Sequence, residues 1–178
     1  MIPFAVVLMA VIAAGVTDVR SFRIPNFLTL PLAISGAVFH VVVHGPTGLQ
    51  NSILGLLFGG LVLMLLYLTG GVGAGDVKLL AAVGAWLGVP TIVYVFVVAA
   101  LAGSLYSFAL LFAQGRLTSA VTTARVVLRQ LVVVGRHLGS EERVESIVNQ
   151  ADSHKRLVPF AVMVGIGLIV VMVGVYLV

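Results

Sequence analysis

Long apolar runs separated by short polar punctuation dominate the chain. Ile2–Thr17, Asn26–His44, Ser52–Thr69, Thr91–Ala113 and Val158–Val178 approach or reach the roughly 20 residues that a helix needs to cross about 30 Å of hydrocarbon. Val77–Leu87 is apolar as well but stops early, at Gly88, Val89 and Pro90. This pattern predicts an all-α, polytopic membrane helix bundle of six transmembrane helices, the fourth short or tilted. Residues 1–178 then form a single membrane-embedded domain, with residues 114–157 as a cytoplasmic segment between spans five and six.

Composition strengthens that expectation. Hydrophobic residues make up 61% of the chain and charged residues 9%, against about 25% charged in an ordinary soluble domain. So few polar side chains cannot cover a soluble globule. A soluble enzyme, a disordered chain and a nucleic-acid partner are excluded, and membrane lipid is the expected surroundings. With no cysteine, disulfides, thiolate nucleophiles and cysteine zinc sites are excluded too.

The ten basic residues carry the topology. Arg20 and Arg23 lie between spans one and two, Lys78 follows span three, and Arg116, Arg125, Arg129, Arg136, Arg143, Lys155 and Arg156 lie between spans five and six. In an alternating six-span chain all ten fall on one side, which the positive-inside rule makes the cytoplasm. The protein is thus expected in the cytoplasmic (inner) membrane, multi-pass, with both termini outside. Nothing basic precedes Ile2, so the first span reads as a retained helix and not a secretory signal.

Within the long segment, Thr118, Thr122, Arg125, Arg129 and Arg136 share a helical face opposite Val121, Ala124, Val127, Leu128 and Leu131. Such a basic amphipathic helix either lies on the inner leaflet or packs on the spans. Residues 139–155 read as soluble and hold Glu141, Glu142, Glu145 and Asp152. Gly55-x-x-x-Gly59, Gly84-x-x-x-Gly88 and Ala99-x-x-x-Gly103 have the spacing that lets helices approach closely, and are read as packing.

Two acidic residues remain, Asp18 and Asp76, at the end of span one and the start of span four. An ionisable group in the bilayer is costly and usually functional. The structural alternative is a cap or a salt bridge, Asp18 with Arg20 or Arg23 and Asp76 with Lys78. As a pair on one side of the membrane, two carboxylates can hold a water between them, one taking its proton while the other donates to a scissile carbonyl. Ahead of Asp76 stand Gly70, Gly71, Gly73 and Gly75, which would let an extended peptide lie beside this loop. The loop matches neither a dinucleotide-binding fingerprint nor a P-loop.

Gly73-Ala74-Gly75-Asp76-Val77-Lys78-Leu79 resembles the G-x-G-D-x-K-L motif of the type IV prepilin peptidases, membrane aspartic proteases of the GxGD class. Asp18, Arg20, Arg23 and Ile24-Pro25-Asn26 resemble the first-aspartate motif of that family, and Val158-Pro159-Phe160-Ala161 its last-span signature. The resemblance implies a peptidase domain that cuts the basic leader from type IV pilin-like or archaellin-like precursors at the cytoplasmic face. It makes Asp18 and Asp76 the catalytic pair, with Gly73, Gly75 and Lys78 in the supporting loop, and implies neither cofactor nor metal. Larger members insert a cytoplasmic domain between the first two spans and N-methylate the new terminus. Only Val19–Pro25 separates Asp18 from Asn26 here, as in the short peptidase-only type.

The remaining candidates have plainer readings. Pro25 and Asn26 suit a helix start. Lys78 either favours an ionised carboxylate or meets lipid headgroups. His40 and His44, four residues apart, are expected as interfacial histidines rather than a metal pair, and Trp86 as an interface anchor. His137 and His154 sit in solvated sequence, and Ser104 and Ser107 read as packing hydroxyls. A small proton-coupled transporter using the paired aspartates is the alternative function. It would predict polar groups near mid-bilayer and related halves, neither of which the sequence has.

Overall fold

The computed structural model describes residues 2–21, 24–68, 72–113 and 160–177. These form four helices: α1 (Ile2–Ser21), α2 (Asn26–Leu68), α3 (Ala74–Ala113) and α4 (Phe160–Leu177). Arg23 and the residues between α3 and Phe160 lie outside the described part. So do the expected amphipathic helix and the soluble stretch, His137, His154, and the Val158-Pro159 half of the last-span signature.

Two of the helices are broken. Gly45 has φ 63° and ψ −148°, and Gly88 has φ 72° and ψ 176°. Both conformations belong to glycine almost alone, because a Cβ would strike its own backbone. A proline follows within two residues in each case, Pro46 and Pro90, where the chain restarts a helix and a missing N–H costs little. The expected loop over 44–51 is therefore no loop: the reversal is concentrated at Gly45 and residues 46–51 are already helical.

Side-chain contacts fix the directions. Gly59 packs on Leu80, Gly55 on Gly84, and Asn51 on Gly88, so limb 46–68 runs antiparallel to limb 74–87 in constant register. Gly75 packs on Ile24 and Gly36 on Ala85 and Trp86, so limb 26–44 runs parallel to 74–87. Gly165 against Val11, Gly15 against Val162, and Gly103 against Met163 seat α4 antiparallel to α1 and to limb 89–113. Six limbs thus alternate in direction. One end of the bundle gathers the C-terminus of α1, the start and finish of α2, the start of α3 and the start of α4. The other end holds both kinks.

Small residues make the α2–α3 seam. A Cβ on Gly55 would overlap the Gly84 carbonyl oxygen, and one on Gly84 would overlap that of Gly55, so both glycines of the expected motifs serve backbone contact. The core runs along these seams through Leu63, Leu79, Leu80, Val83, Ile92, Val95, Val164 and Leu168. The outside is apolar as well, with Met9, Phe27, Leu30, Val42, Tyr94, Leu105 and Phe112 all exposed. Asn26–Leu68 and Ala74–Leu110 are each long and apolar enough to cross a membrane.

Side chains of α2 bond three backbone groups beside the break at Gly88. Pro90 has no N–H for the Trp86 carbonyl, which instead accepts from His40 Nε2 at 2.9 Å. The Val89 N–H donates to Asn51 Oδ1 at 3.3 Å, and the Ala85 carbonyl accepts from Ser52 Oγ at 2.7 Å. Trp86 is itself buried, donating from Nε1 to the Leu32 carbonyl at 2.8 Å and stacking on Phe39. Two expectations are corrected here: Trp86 is no interface anchor and His40 no interfacial histidine, since each fills the space between limbs 26–44 and 74–87. Ser104 is exposed among the described residues and donates to the Leu101 carbonyl of its own helix.

Substitutions along this seam test the packing. Gly55→Leu and Gly84→Leu each insert a side chain where backbone sits, an overpacking cost of about 1–3 kcal/mol or more. Asn51→Leu strands the Val89 amide, at about 1–3 kcal/mol. Thermal unfolding in detergent is expected to show a clearly lowered midpoint for all three, whereas Leu105→Ala on the exposed face leaves it nearly unchanged.

Candidate active site

Asp76 is the third residue of α3, and Gly73 caps the helix ahead of it. The Gly73 carbonyl accepts from the amides of Asp76 at 3.1 Å and Val77 at 3.3 Å, while its own N–H donates to Asp76 Oδ2 at 3.2 Å. This is the returning arm of a capping box, and it sets the carboxylate at the positive end of the helix dipole. The capping role weighed for Asp76 is therefore real, and the same contact fixes the rotamer of the side chain.

Asp18 stands at the opposite kind of helix end. It sits in the last turn of α1, where the dipole favours cations, and it is 2% exposed. Asp76 is 1% exposed. The two lie at the same end of the bundle, at the close of α1 and the opening of α3. The Arg20 side chain and Arg23, the expected salt-bridge partners of Asp18, lie outside the described residues.

The α2–α3 register sets the depth of Asp76. Continuing the pairings Asn51–Gly88, Gly55–Gly84 and Gly59–Leu80 brings it level with Leu63, itself 1% exposed. Leu68, where α2 ends, lies about 7 Å further along the axis at 1.5 Å per residue. Limb 74–87 is about 21 Å long by the same measure, and its start stands level with the start of α2, where Ile24 meets Gly75 and Asn26 meets Lys78.

Of the four glycines ahead of Asp76, Gly70 and Gly71 lie outside the described residues, and Gly75 packs against the chain itself. A Cβ there would stand 3.1 Å from Ile24 Cβ and 3.3 Å from the Ile24 amide nitrogen, so its open side is filled by the segment just downstream of Asp18. Gly73 is buried under its own cap. Lys78 is exposed and donates from Nζ to Asn26 Oδ1 at 3.0 Å, bonding the start of α2 instead of reaching for headgroups. Asn26 and Ile24 are the residues that sequence reasoning undervalued. Their signal is present in Ile24-Pro25-Asn26, but a partner about fifty residues away is not legible from a turn motif. Among the described residues no three His, Asp or Glu side chains converge as a metal site would require.

Comparison with known proteins adds a second line of support. The type IV leader peptidase family matches over residues 5–108, a stretch that holds both aspartates and the Gly73–Lys78 turn. A prepilin leader peptidase/N-methyltransferase of Aeromonas salmonicida is 37% identical over 107 residues, 56% of this chain and 36% of that protein. The Escherichia coli protein of the same description is 36% identical over 104 residues, covering 54% of this chain and 46% of its own length. That of Bacillus subtilis is 31% identical over 131 residues, 72% of this chain and 48% of the relative. The chain thus matches less than half the length of these curated relatives. No solved structure matches it.

The cap separates two roles of one side chain. Asp76→Asn keeps an oxygen that accepts from the Gly73 amide, so its unfolding midpoint should stay near that of the wild type. Asp76→Ala removes the acceptor and should cost about 1 kcal/mol, read as a lowered midpoint in the same detergent.

Proposed function

The chain belongs to the type IV leader peptidase family, and from that premise we propose that it is a membrane-embedded aspartic endopeptidase. Its substrates are pilin-like or archaellin-like precursors, from which it removes the basic leader at the cytoplasmic face of the inner membrane. The observation that carries this reading is the burial of Asp18 and Asp76 at one end of an otherwise apolar bundle. The chain's four other acidic residues all fall between 141 and 152.

In this mechanism one carboxylate takes a proton from a water held between the pair, and the oxygen of that water adds to the scissile carbonyl carbon. The other carboxylic acid gives its proton to the carbonyl oxygen. The carboxylic acid formed from the first Asp then protonates the amide nitrogen, the C–N bond breaks, and one diol hydroxyl gives its proton to the other carboxylate as the new carboxyl group forms, leaving one proton shared by the pair as at the start. Burial excludes bulk water and strengthens each of these transfers. The substrate backbone reaches the pair from the end of the bundle that holds both aspartates, and its basic leader stays on that side.

Six limbs of alternating direction support six membrane crossings with both termini outside. In the sequence every Lys and Arg falls at or between the ends of alternate apolar runs, and among the described side chains Lys78 lies at the end that holds the aspartates, which the positive-inside rule puts in the cytoplasm.

Two experiments test the reading. Asp18→Asn and Asp76→Asn should each lower cleavage of a co-expressed prepilin-like substrate by about 10²–10⁴-fold, with the double variant little worse because the groups act as a unit. Chelators should leave the rate unchanged. Near wild-type processing by either well-expressed single variant would refute the dyad. For topology, Thr47→Cys and Ser140→Cys are each unique thiols in a cysteine-free chain. Thr47 is exposed at the kink end, so an impermeant thiol reagent on intact cells should label position 47 and not 140. The opposite pattern would invert the topology.

A further inference from the structure

Between the two aspartate-bearing helix ends runs a short connection that the proposed chemistry does not use. Ile24 is 6% exposed and belongs to the apolar core. It lies six residues beyond Asp18 and rests on Gly75, the immediate neighbour of Asp76. Two residues further on, Asn26 accepts the Lys78 hydrogen bond at 3.0 Å. The segment leaving α1 is therefore fastened to the first turn of α3 twice, once by an apolar seat and once by a charge-assisted hydrogen bond.

Lys78 is badly placed to act on the carboxylate of Asp76 itself. Residues two apart on a helix point about 200° from each other and do not meet, and here Asp76 is buried while Lys78 is exposed. Its ammonium is instead directed at α2.

We propose that Lys78 and Asn26 are positioning residues: their hydrogen bond, with Ile24 seated on Gly75, holds the segment that follows Asp18 against the turn that carries Asp76, and so sets the separation of the two carboxylates. This rests on the dyad reading. A pair that must hold one water has little tolerance, since a misplacement of about 1 Å can cost 10²-fold in rate. Neither residue touches the substrate in this arrangement, so the effect belongs in kcat and not in KM.

The absence of cysteine makes a direct test available. With detergent-solubilised protein and a fluorogenic peptide carrying a basic leader ahead of an apolar stretch, Lys78→Met and Asn26→Leu should each lower kcat about 10–100-fold with KM little changed. The double variant should be no slower than the worse single one, and Asn26→Asp, which keeps the acceptor, should stay near wild type. Ile24→Cys with Gly75→Cys is then introduced into the Lys78→Met background. The 3.1 Å between Ile24 Cβ and a Cβ at Gly75 is close to the roughly 3.5–4.5 Å of a disulfide. Oxidation should restore kcat at least tenfold, toward the rate of the same pair beside wild-type Lys78, and reduction should remove the gain. Wild-type kcat in Lys78→Met overturns the proposal. So does a cross-link that forms without recovery, which would assign the ammonium a chemical role. Asp18→Asn run alongside keeps the two readings apart. It must stay inactive whether cross-linked or not, and cleavage by it refutes the dyad while leaving Lys78→Met to judge the positioning.

Discussion

A backbone group inside an apolar bundle must find a partner, because neither lipid nor core supplies one, and the organisation of this protein follows from how that requirement is met at Gly88. The break there is what turns α3 back on itself. His40, Ser52 and Asn51 bond two carbonyls and an amide beside it. They come from both limbs of α2, so these bonds also clamp those limbs to α3. Once Asn51 is bonded beside Gly88, the register of the whole seam is set. The glycine contacts below it follow at Gly55–Gly84 and Gly59–Leu80.

That register reaches the site. The clamp is at one end of the bundle and Asp76 at the other, yet limb 74–87 is a rigid helix between them. Its N-terminus is placed by counting back from Gly88, which is why Asp76 sits beside Leu63 and short of the helix end at Leu68. Burial there would be costly for an arbitrary carboxylate. The Gly73 amide and the α3 dipole offset part of that cost. Asp18, in the last turn of α1, sits at the negative end of its own helix dipole and is buried at the same end of the bundle.

The glycine-rich turn has a structural part that its sequence does not announce. Gly73 closes the cap and Gly75 receives Ile24. The small residue at 75 lets the segment after Asp18 approach the turn that carries Asp76. The same holds for Trp86 and His40. Both have amphipathic side chains of the kind found at membrane interfaces, and their positions near the ends of apolar runs invite that reading. Each is buried because a carbonyl left unpaired by helix geometry lies within its reach, or because its own N–H finds one.

The local arrangement of residues by itself determined the helical class, the apolar limbs and their breaks near Gly45 and Gly88. It also put every Lys and Arg at or between the ends of alternate apolar runs and singled out Asp18 and Asp76. Hydropathy, glycine–proline punctuation and charge are properties of neighbouring positions, so a linear reading captures them. The depth of Asp76, the seat of Ile24 on Gly75, the Lys78–Asn26 bond and the burial of Trp86 and His40 were decided only by tertiary structure. Each depends on the register between limbs some 30 to 50 residues apart in the chain. That register is settled jointly, by where backbones can touch without a Cβ between them and by which stranded backbone groups must be satisfied.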